Sequence, residues 1–524
     1  MTHSTSPWAP LEQRTFRFIW IATVFSNIGT WMHDVGAAWL MVTLTSDPLM
    51  ISLIQAATAL PIFILALPAG ALADIVDRRR YLLIVQCLMF VTALALAITS
   101  WQGATTPWVL IAFTFALGCG AAFSAPAWQA VTPELVPKEQ LGAAVALNSM
   151  GINVSRAIGP ALGGLLIVMH GPVLTFALNA LTFIGIIVIL YRWQRESTTT
   201  ALPTERFFHA MRAGMRYAYS SPALHIVLIR AVAFFMFASA VWALLPLIAK
   251  QELNQEAGGY GLLMGAIGLG AILGATQLPK LRERYSSDQR VMVASVLMAC
   301  VAFALSVVDS LAIALIVMLL MGLAWIVALS SLNMAAQQSA PSWVRARVLS
   351  IYLIAFFGSM AFGSALWGAC AKLFSIPEAL MMAGAAQLIA VVLTYRLKLG
   401  KGEGRDLAPS GHWPAPLVSS QPELDKGPVL ITIEYHVVPE YREAFEVSSQ
   451  GLKQMRRRDG AFFWSLFEDV ADSNKMIETF MVTSWVEHLR QHERVTEEDK
   501  ALQLRLREYL VDGNAPVVSH YVKV

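Results

Sequence analysis

The chain has 524 residues, of which 56% are hydrophobic and only 14% charged, and its mean hydropathy is +0.57. Soluble domains carry roughly 25% charged residues, so a water-soluble enzyme is excluded: a core of this composition would have too little polar surface to cover it. The formal net charge of +3 supplies no dense basic stripe of the kind a nucleic-acid partner needs.

A bilayer core ~30 Å thick takes about 20 apolar residues in a helix, because each adds only ~1.5 Å. By that measure six spans are predicted near residues 16–44, 49–74, 81–101, 108–131, 141–169 and 173–191. Six more are predicted near 222–249, 259–279, 290–308, 311–336, 346–371 and 376–396. The first apolar stretch is too long for a cleavable signal peptide and lacks its short basic start. Cys87, Cys119, Cys300 and Cys370 all fall in apolar stretches, so no disulfide framework is expected.

The predicted organisation is an N-terminal six-helix half (1–191), a central cytoplasmic loop (192–221), a C-terminal six-helix half (222–400), a linker (401–428) and a soluble cytoplasmic domain (429–524). In the central loop Phe207, Phe208, Met211, Met215 and Tyr219 alternate with Arg206, Arg212 and Arg216 at helical spacing. That pattern predicts an amphipathic helix on the membrane surface. The linker is rich in helix breakers, among them Gly402, Gly404, Pro409, Pro414, Pro416 and Pro422. Charge marks the same boundary: residues 1–401 hold 24 Lys+Arg and 15 Asp+Glu, whereas 402–524 hold 14 and 20.

Orientation follows from Lys and Arg in the loops. With the N-terminus inside, twenty of the 24 basic residues fall on cytoplasmic segments and only Lys250 and Lys372 on the outer ones. An even number of spans returns the tail to the cytoplasm. A faint repeat relates the two halves: Gly70, Arg78 and Arg80 recur as Gly274, Arg282 and Arg284, and Pro133 and Val136 recur as Pro341 and Val344 at a nearly equal offset. Such duplication is common in secondary transporters.

The stretch from Gly70 through Asp74 and Asp77 to Arg78, Arg79 and Arg80 resembles the loop 2–3 signature of the major facilitator superfamily. Gly159-Pro160-Ala161-Leu162-Gly163-Gly164 in span 5 resembles the motif associated with its exporters. Gly29 to Asp34 and Pro133 to Pro137 are similar to the branch of bacterial siderophore exporters of the enterobactin type. The resemblance implies that Asp74 latches the cytoplasmic gate against span 11, which begins near Arg345 and Arg347. A carboxylate at the C-terminal end of a helix opposes the dipole and needs such a positive partner. In span 5 the glycines let a neighbouring helix approach closely, and Pro160 bends the span. Thr114 stands where exporters of this type carry a span-4 arginine, so coupling has to arise elsewhere.

Three charges remain at membrane depth, Asp34, Arg156 and Arg230, and an ionisable group there is a functional candidate by default. Asn27, Trp31 and Asp34 share a stripe on span 1, while Arg156 lies on the motif face of span 5, so an Asp34–Arg156 pair is expected. His33, beside Asp34, reads as structural.

The tail reads β-α-β-β-α-β: an alternating strand from Val429, a helix through Phe445 and Leu452, strands at Phe462–Phe467 and Met476–Trp485, a helix through Leu502 and Leu506, and a strand from Val517. This ferredoxin-like order resembles the small dimeric α+β barrels related to antibiotic-biosynthesis monooxygenases. His488 and His492 stand one turn apart, but zinc needs further ligands and Leu489 occupies the place of an H-E-x-x-H glutamate. No metal, cofactor or catalytic constellation is predicted, and a dimerisation or regulatory module is the default role. The fold class is thus a twelve-helix membrane bundle followed by a small α+β domain. The predicted function is proton-coupled export of a siderophore- or drug-like small molecule, with protons, membrane lipid and a homodimer mate as further partners. The alternatives are a transporter-linked enzyme or sensor acting through the tail, and a lipid or lysolipid flippase.

Overall fold

The computed structural model describes residues 6–193, 207–341, 343–399, 406–414, 416, 423, 425–513 and 515–524. The chain divides into two compact units. One comprises Met1–Leu202, Leu228–Asn333 and Tyr352–Lys398, and the other Pro203–Val227, Met334–Ile351 and Leu399–Val524.

The N-terminal half of the first unit holds α1 (Arg14–Leu44), α2 (Pro48–Ile75), α3 (Arg78–Trp101), α4 (Pro107–Leu135), α5 (Leu141–His170) and α6 (Pro172–Arg192). After α7 (Phe207–Ser220), which lies in the second unit, come α8 (Pro222–Leu247), α9 (Ala257–Arg284), α10 (Ser287–Leu305), α11 (Leu311–Gln338), α12 (Arg345–Leu373) and α13 (Ile376–Thr394). Spans 1–6 are therefore α1–α6, and spans 7–12 are α8–α13. Eleven helices among the described residues are long and apolar enough to cross a membrane. The remaining span, α1, is equally long, but Ser26, Asn27, Thr30, His33 and Asp34 make its middle polar.

Local sequence sets these helix starts. Asp47 caps α2, accepting the Leu49 N–H, and Asp77 caps α3, accepting the Arg80 N–H. Ser286 and Gln289 form a capping box on α10. Pro48, Pro107 and Pro172 occupy first turns, where a missing N–H costs nothing. On α3, Ile84, Leu88 and Val91 are each about 60% exposed along one stripe, as a lipid-facing surface requires. Tyr81, Leu82, Val85 and Met89 point the other way, into a core with Phe183 and Ile186 of α6. α1 packs on α5 and α6, α2 on α4, and α10 on α13, while α5 meets α9 across the two halves.

The second unit contains the α+β domain. Its strands β1 (Val429–His436), β2 (Phe463–Glu468), β3 (Lys475–Val482) and β4 (Val517–Val522) form one antiparallel sheet in the order β2-β3-β1-β4. The core joins Ile431, Ile433 and Tyr435 of β1 and Phe480 of β3 to Phe445, Leu452 and Met455 of α14 (Arg442–Asp459). Sequence reading expects one helix before the last strand; the structure has two, α15 (Trp485–Arg494) and α16 (Glu497–Arg507). Thr496 breaks them apart by forming a capping box with Asp499. Part of the expected linker also belongs to the domain. The Ser410 N–H donates to the Val495 carbonyl, the Glu497 N–H to the Ala408 carbonyl, and the Glu498 N–H to the Asp406 carbonyl. Gly402, Gly404 and Pro422 of the linker lie outside the described residues.

Candidate functional site

The span 5 motif is a close-packing surface with two partners. A Cβ on Gly159 would come within 2.5 Å of the Trp31 Cβ, and one on Gly163 would meet the Met32 backbone of α1 at 3.0 Å. Ser155, one turn before Gly159, donates to the Val24 carbonyl of α1 at 3.1 Å. Gly164 faces α9 instead: a Cβ there would lie 2.8 Å from the Gly261 Cα and 2.9 Å from the Ala257 carbonyl. Pro160 sits inside a continuous α5, its carbonyl against Gly261.

This packing places Arg156 over the ring of Trp31, its guanidinium carbon 5.6 Å from the centroid. Its Nε is buried without a hydrogen-bond partner. The expected Asp34–Arg156 ion pair is not formed, because the arginine is held one turn away by the indole face. Asp34 instead lies within electrostatic reach of the Tyr260 phenol of α9, and Tyr260 stacks on Trp39 with centroids 6.1 Å apart. Asn27 lies partly buried two turns before Asp34 on α1. His33 is 2% exposed and packs against Phe176 at 4.9 Å between ring centroids.

Arg230 is placed differently from expectation. It donates to the Thr394 carbonyl at 3.1 Å and the Asp288 carbonyl at 3.5 Å. A cation at the end of α13 satisfies a carbonyl that the helix itself cannot, so Arg230 caps α13 rather than joining Asp34 and Arg156. Two arginines of the loop 2–3 signature make contacts within their own half. Arg79 donates to the Leu190 and Tyr191 carbonyls at the end of α6, and Arg78 pairs with Glu134 of α4 at 2.6 Å. The Asp74 side chain, the other partner of the expected gate latch, lies outside the described residues. Arg345 is exposed, the Arg347 stem packs against Gly214, and a Cβ on Gly70 would meet nothing within 4 Å.

A different connection between the halves lies at the other ends of the same helices. Lys372 of α12 pairs with Asp47 ahead of α2 at 2.7 Å. Beside it a Cβ on Gly368 would lie 1.8 Å from the Ser52 Oγ. Lys250, just past α8, donates to the Val42 carbonyl of α1 at 2.8 Å. The hydrogen bond from Lys372 holds the Asp47 carboxyl below its ordinary range, so acidity alone opens this bridge only well below neutral pH. The two lysines that sequence places alone on this face both join the N-terminal half to the C-terminal half. Their isolation among the loop charges was the available signal.

In the α+β domain the buried polar groups serve structure. Glu478 is fully buried and accepts from Arg456 Nε at 3.0 Å, Tyr435 Oη at 2.8 Å and Trp464 Nε1 at 2.9 Å. A carboxylate so completely bonded has no capacity left for general-base work. Trp413, from the expected linker, lies under the Arg456 guanidinium at 4.9 Å and edge-on to His492. His488 and His492 face each other, Nε2 to Nε2, at 3.4 Å, with His520 beside His488. Among the described residues no group of three or more His, Cys, Asp or Glu side chains is arranged to hold a metal ion.

Burial, reinforced by the charge of His520, pushes His488 down to about 3 and His492 down to about 4. Unfolded histidines titrate near 6.5, so between that pH and about 4 the unfolded chain binds protons that the folded domain refuses. Stability therefore falls as the pH drops through this window. A fragment of residues 406–524 is expected to melt at least several degrees lower at pH 5 than at pH 7 by circular dichroism. An unchanged melting temperature would contradict it.

Two six-helix halves joined by a glycine-packed α5–α9 contact, with an acid and an arginine at membrane depth beside it, define a multi-pass secondary transporter of the major facilitator superfamily. Residues 5–524 match the family described as transmembrane secretion effector, and the chain belongs to that family. It is 23% identical over 370 residues to a staphyloferrin A transporter of Staphylococcus aureus, an alignment covering 70% of this chain and 92% of the relative. It is 26% identical over 393 residues to an enterobactin exporter of Salmonella choleraesuis, covering 74% and 92%. Among solved structures it resembles a bacterial homologue of the human lysosomal transporter Spinster in an inward-facing, occupied conformation. There the TM-score is 0.60 at 13% identity, covering 74% of this chain and 97% of that one. A POT family transporter in complex with 5-aminolevulinic acid gives a TM-score of 0.62 at 12% identity, covering 73% and 96%. The chain is a transporter and not an enzyme.

Proposed function

We propose that the chain is a proton-coupled exporter of a siderophore-like small molecule across the cytoplasmic membrane, with both termini in the cytoplasm. The carrying observation is the arrangement at the α1–α5–α9 junction. Asp34 is an acid at membrane depth near Tyr260 of the opposite half, and Arg156 sits one turn away with a buried Nε that has no partner. A guanidinium with an unused donor suits an oxygen-rich, polar or anionic substrate. An acid between two moving halves can take up a proton in one arrangement and release it in the other. The siderophore-handling relatives support the substrate class, and the one-sided distribution of basic loop residues supports the orientation.

The domain boundaries at 191, 221 and 400 remain part of this reading, while the boundary expected at 428 moves back to Asp406, where the strap joins the domain. Self-association through that domain is supported by the open face of its sheet. Met481 pairs with both Leu430 and Phe463, and Ile477 with Phe467, so these apolar residues share one side. Phe463 and Phe467 are 40% and 52% exposed there, and a second copy would cover them.

The test is transport. In everted vesicles with an imposed pH gradient, labelled catecholate or carboxylate siderophores are expected to accumulate at least tenfold above vesicles lacking the protein, and to leak out when the gradient is dissipated. Accumulation indifferent to the gradient would overturn proton coupling.

A further inference from the structure

The grip of the α+β domain on the rest of its unit is concentrated on α15. Glu487 accepts from Arg494 Nη1 at 2.7 Å and from Arg216 Nη2 of α7 at 3.3 Å. Arg494 also donates to the Asp459 carbonyl at 3.1 Å, and its guanidinium carbon stands 4.5 Å from the ring centroid of Trp343, in the turn ahead of α12. Trp343 in turn meets the Tyr217 ring edge-on, with centroids 6.1 Å apart. The Tyr217 hydroxyl donates to the Ser339 carbonyl at the end of α11 at 2.5 Å.

These contacts are built rather than incidental. The Arg494 and Glu487 side chains are only 5% and 13% exposed. Burial would raise the Glu487 carboxyl, but Arg494, Arg216 and Arg490 outweigh it and hold it below its ordinary range. Gly460 turns the chain at φ +133° directly beneath, where a Cβ would lie 2.9 Å from the Glu487 Oε1. Removing one partner of so shielded a pair would leave the other charge buried and unpaired, and the cation–π contact adds to the grip.

We propose that the α+β domain is a control module, docked through Glu487 and Arg494 on α7 and on the turn entering α12. Its grip biases the transporter toward the arrangement in which Asp47 and Lys372 are joined. The inference rests on the transporter reading above. Arg345 and Arg347 open α12, and Lys372 stands at its far end. A stiff helix held at its first turn has its tilt restricted at the last, and contacts made in one state stabilise that state. α7 lies in the connection between the two halves, so the same grip restrains the segment that must yield when they rock.

The experiment uses the full chain in lipid nanodiscs. Cys87, Cys119, Cys300 and Cys370 are replaced by serine, and spin labels are attached to Met50→Cys and Phe374→Cys, flanking the Asp47–Lys372 bridge. Glu487→Gln and Trp343→Ala are each expected to raise the ratio of separated to joined label distances about threefold, the scale of one partly buried ion pair. Trp343→Phe, which keeps an aromatic face for Arg494, is expected to restore the wild-type distribution. Distributions unchanged in both Glu487→Gln and Trp343→Ala would overturn the proposal, as would Trp343→Phe behaving like Trp343→Ala. The readout needs no substrate. Failure of gradient-driven accumulation, with distances still responding to these variants, would remove proton coupling and leave the control module standing.

Discussion

Asp34→Asn is expected to abolish uphill transport while sparing downhill exchange. The substitution keeps the size of the side chain and removes an acid near Tyr260 that can carry a proton at membrane depth. Without it, substrate movement no longer obliges a proton to move, so a pH gradient does no work. Accumulation in vesicles should fall at least tenfold, and counterflow of labelled against unlabelled substrate should change by less than about threefold. Arg156→Lys should weaken both modes, because an ammonium cannot reproduce the planar fork that rests on Trp31. Full gradient-driven accumulation by Asp34→Asn would return both residues to a structural role.

The second large effect is expected at the crossing of α5 and α9. Gly164→Leu would drive a side chain into the Gly261 Cα and the Ala257 carbonyl, both backbone atoms that cannot rotate away. Overpacking of this kind costs about 1–3 kcal/mol in soluble cores, and here it falls on the surface where the halves must slide and re-seat. Transport is expected to drop more than tenfold with the protein still inserted. Gly185→Leu is the matched control, since nothing lies within 4 Å of a Cβ at that position. Equal rates in Gly164→Leu and wild-type vesicles, at equal amounts of protein, would show that close approach is dispensable.

The candidate site was partly legible. Arg156 and Asp34 stand out because charge is scarce in apolar helices, and the span 5 glycines because their spacing repeats at one face. Which groups meet was not legible. A one-turn difference separates an Asp34 partner from a Trp31 partner, and only the crossing of α1 on α5, set by contacts such as Ser155 to the Val24 carbonyl, decides it. Arg230 reads the same as Arg156 in sequence, yet its place near the end of α13 makes it a cap.

The tail shows the same division. Alternation along Val429–His436 announces a strand, because side chains on a strand change face at every residue. Glu478 and Arg456 lie 22 positions apart on different elements, and no local pattern announces that they will bury each other's charge. Trp413 reads as linker because glycines and prolines surround it, and only the docked strap reveals it as part of the domain.

Sequence by itself determined what solvent each segment tolerates. Span length, scarcity of charge and the basic loops fix a helical membrane bundle with a soluble tail, since these depend on transfer of each segment from water to lipid and not on its neighbours. Tertiary structure alone decided which polar groups satisfy one another. Lys250 and Lys372 joining the halves, Tyr217 and Trp343 receiving the tail domain, and Arg156 resting on Trp31 all depend on contacts between residues distant in the chain. A buried donor must find an acceptor wherever packing brings one, and packing is a property of the assembled helices.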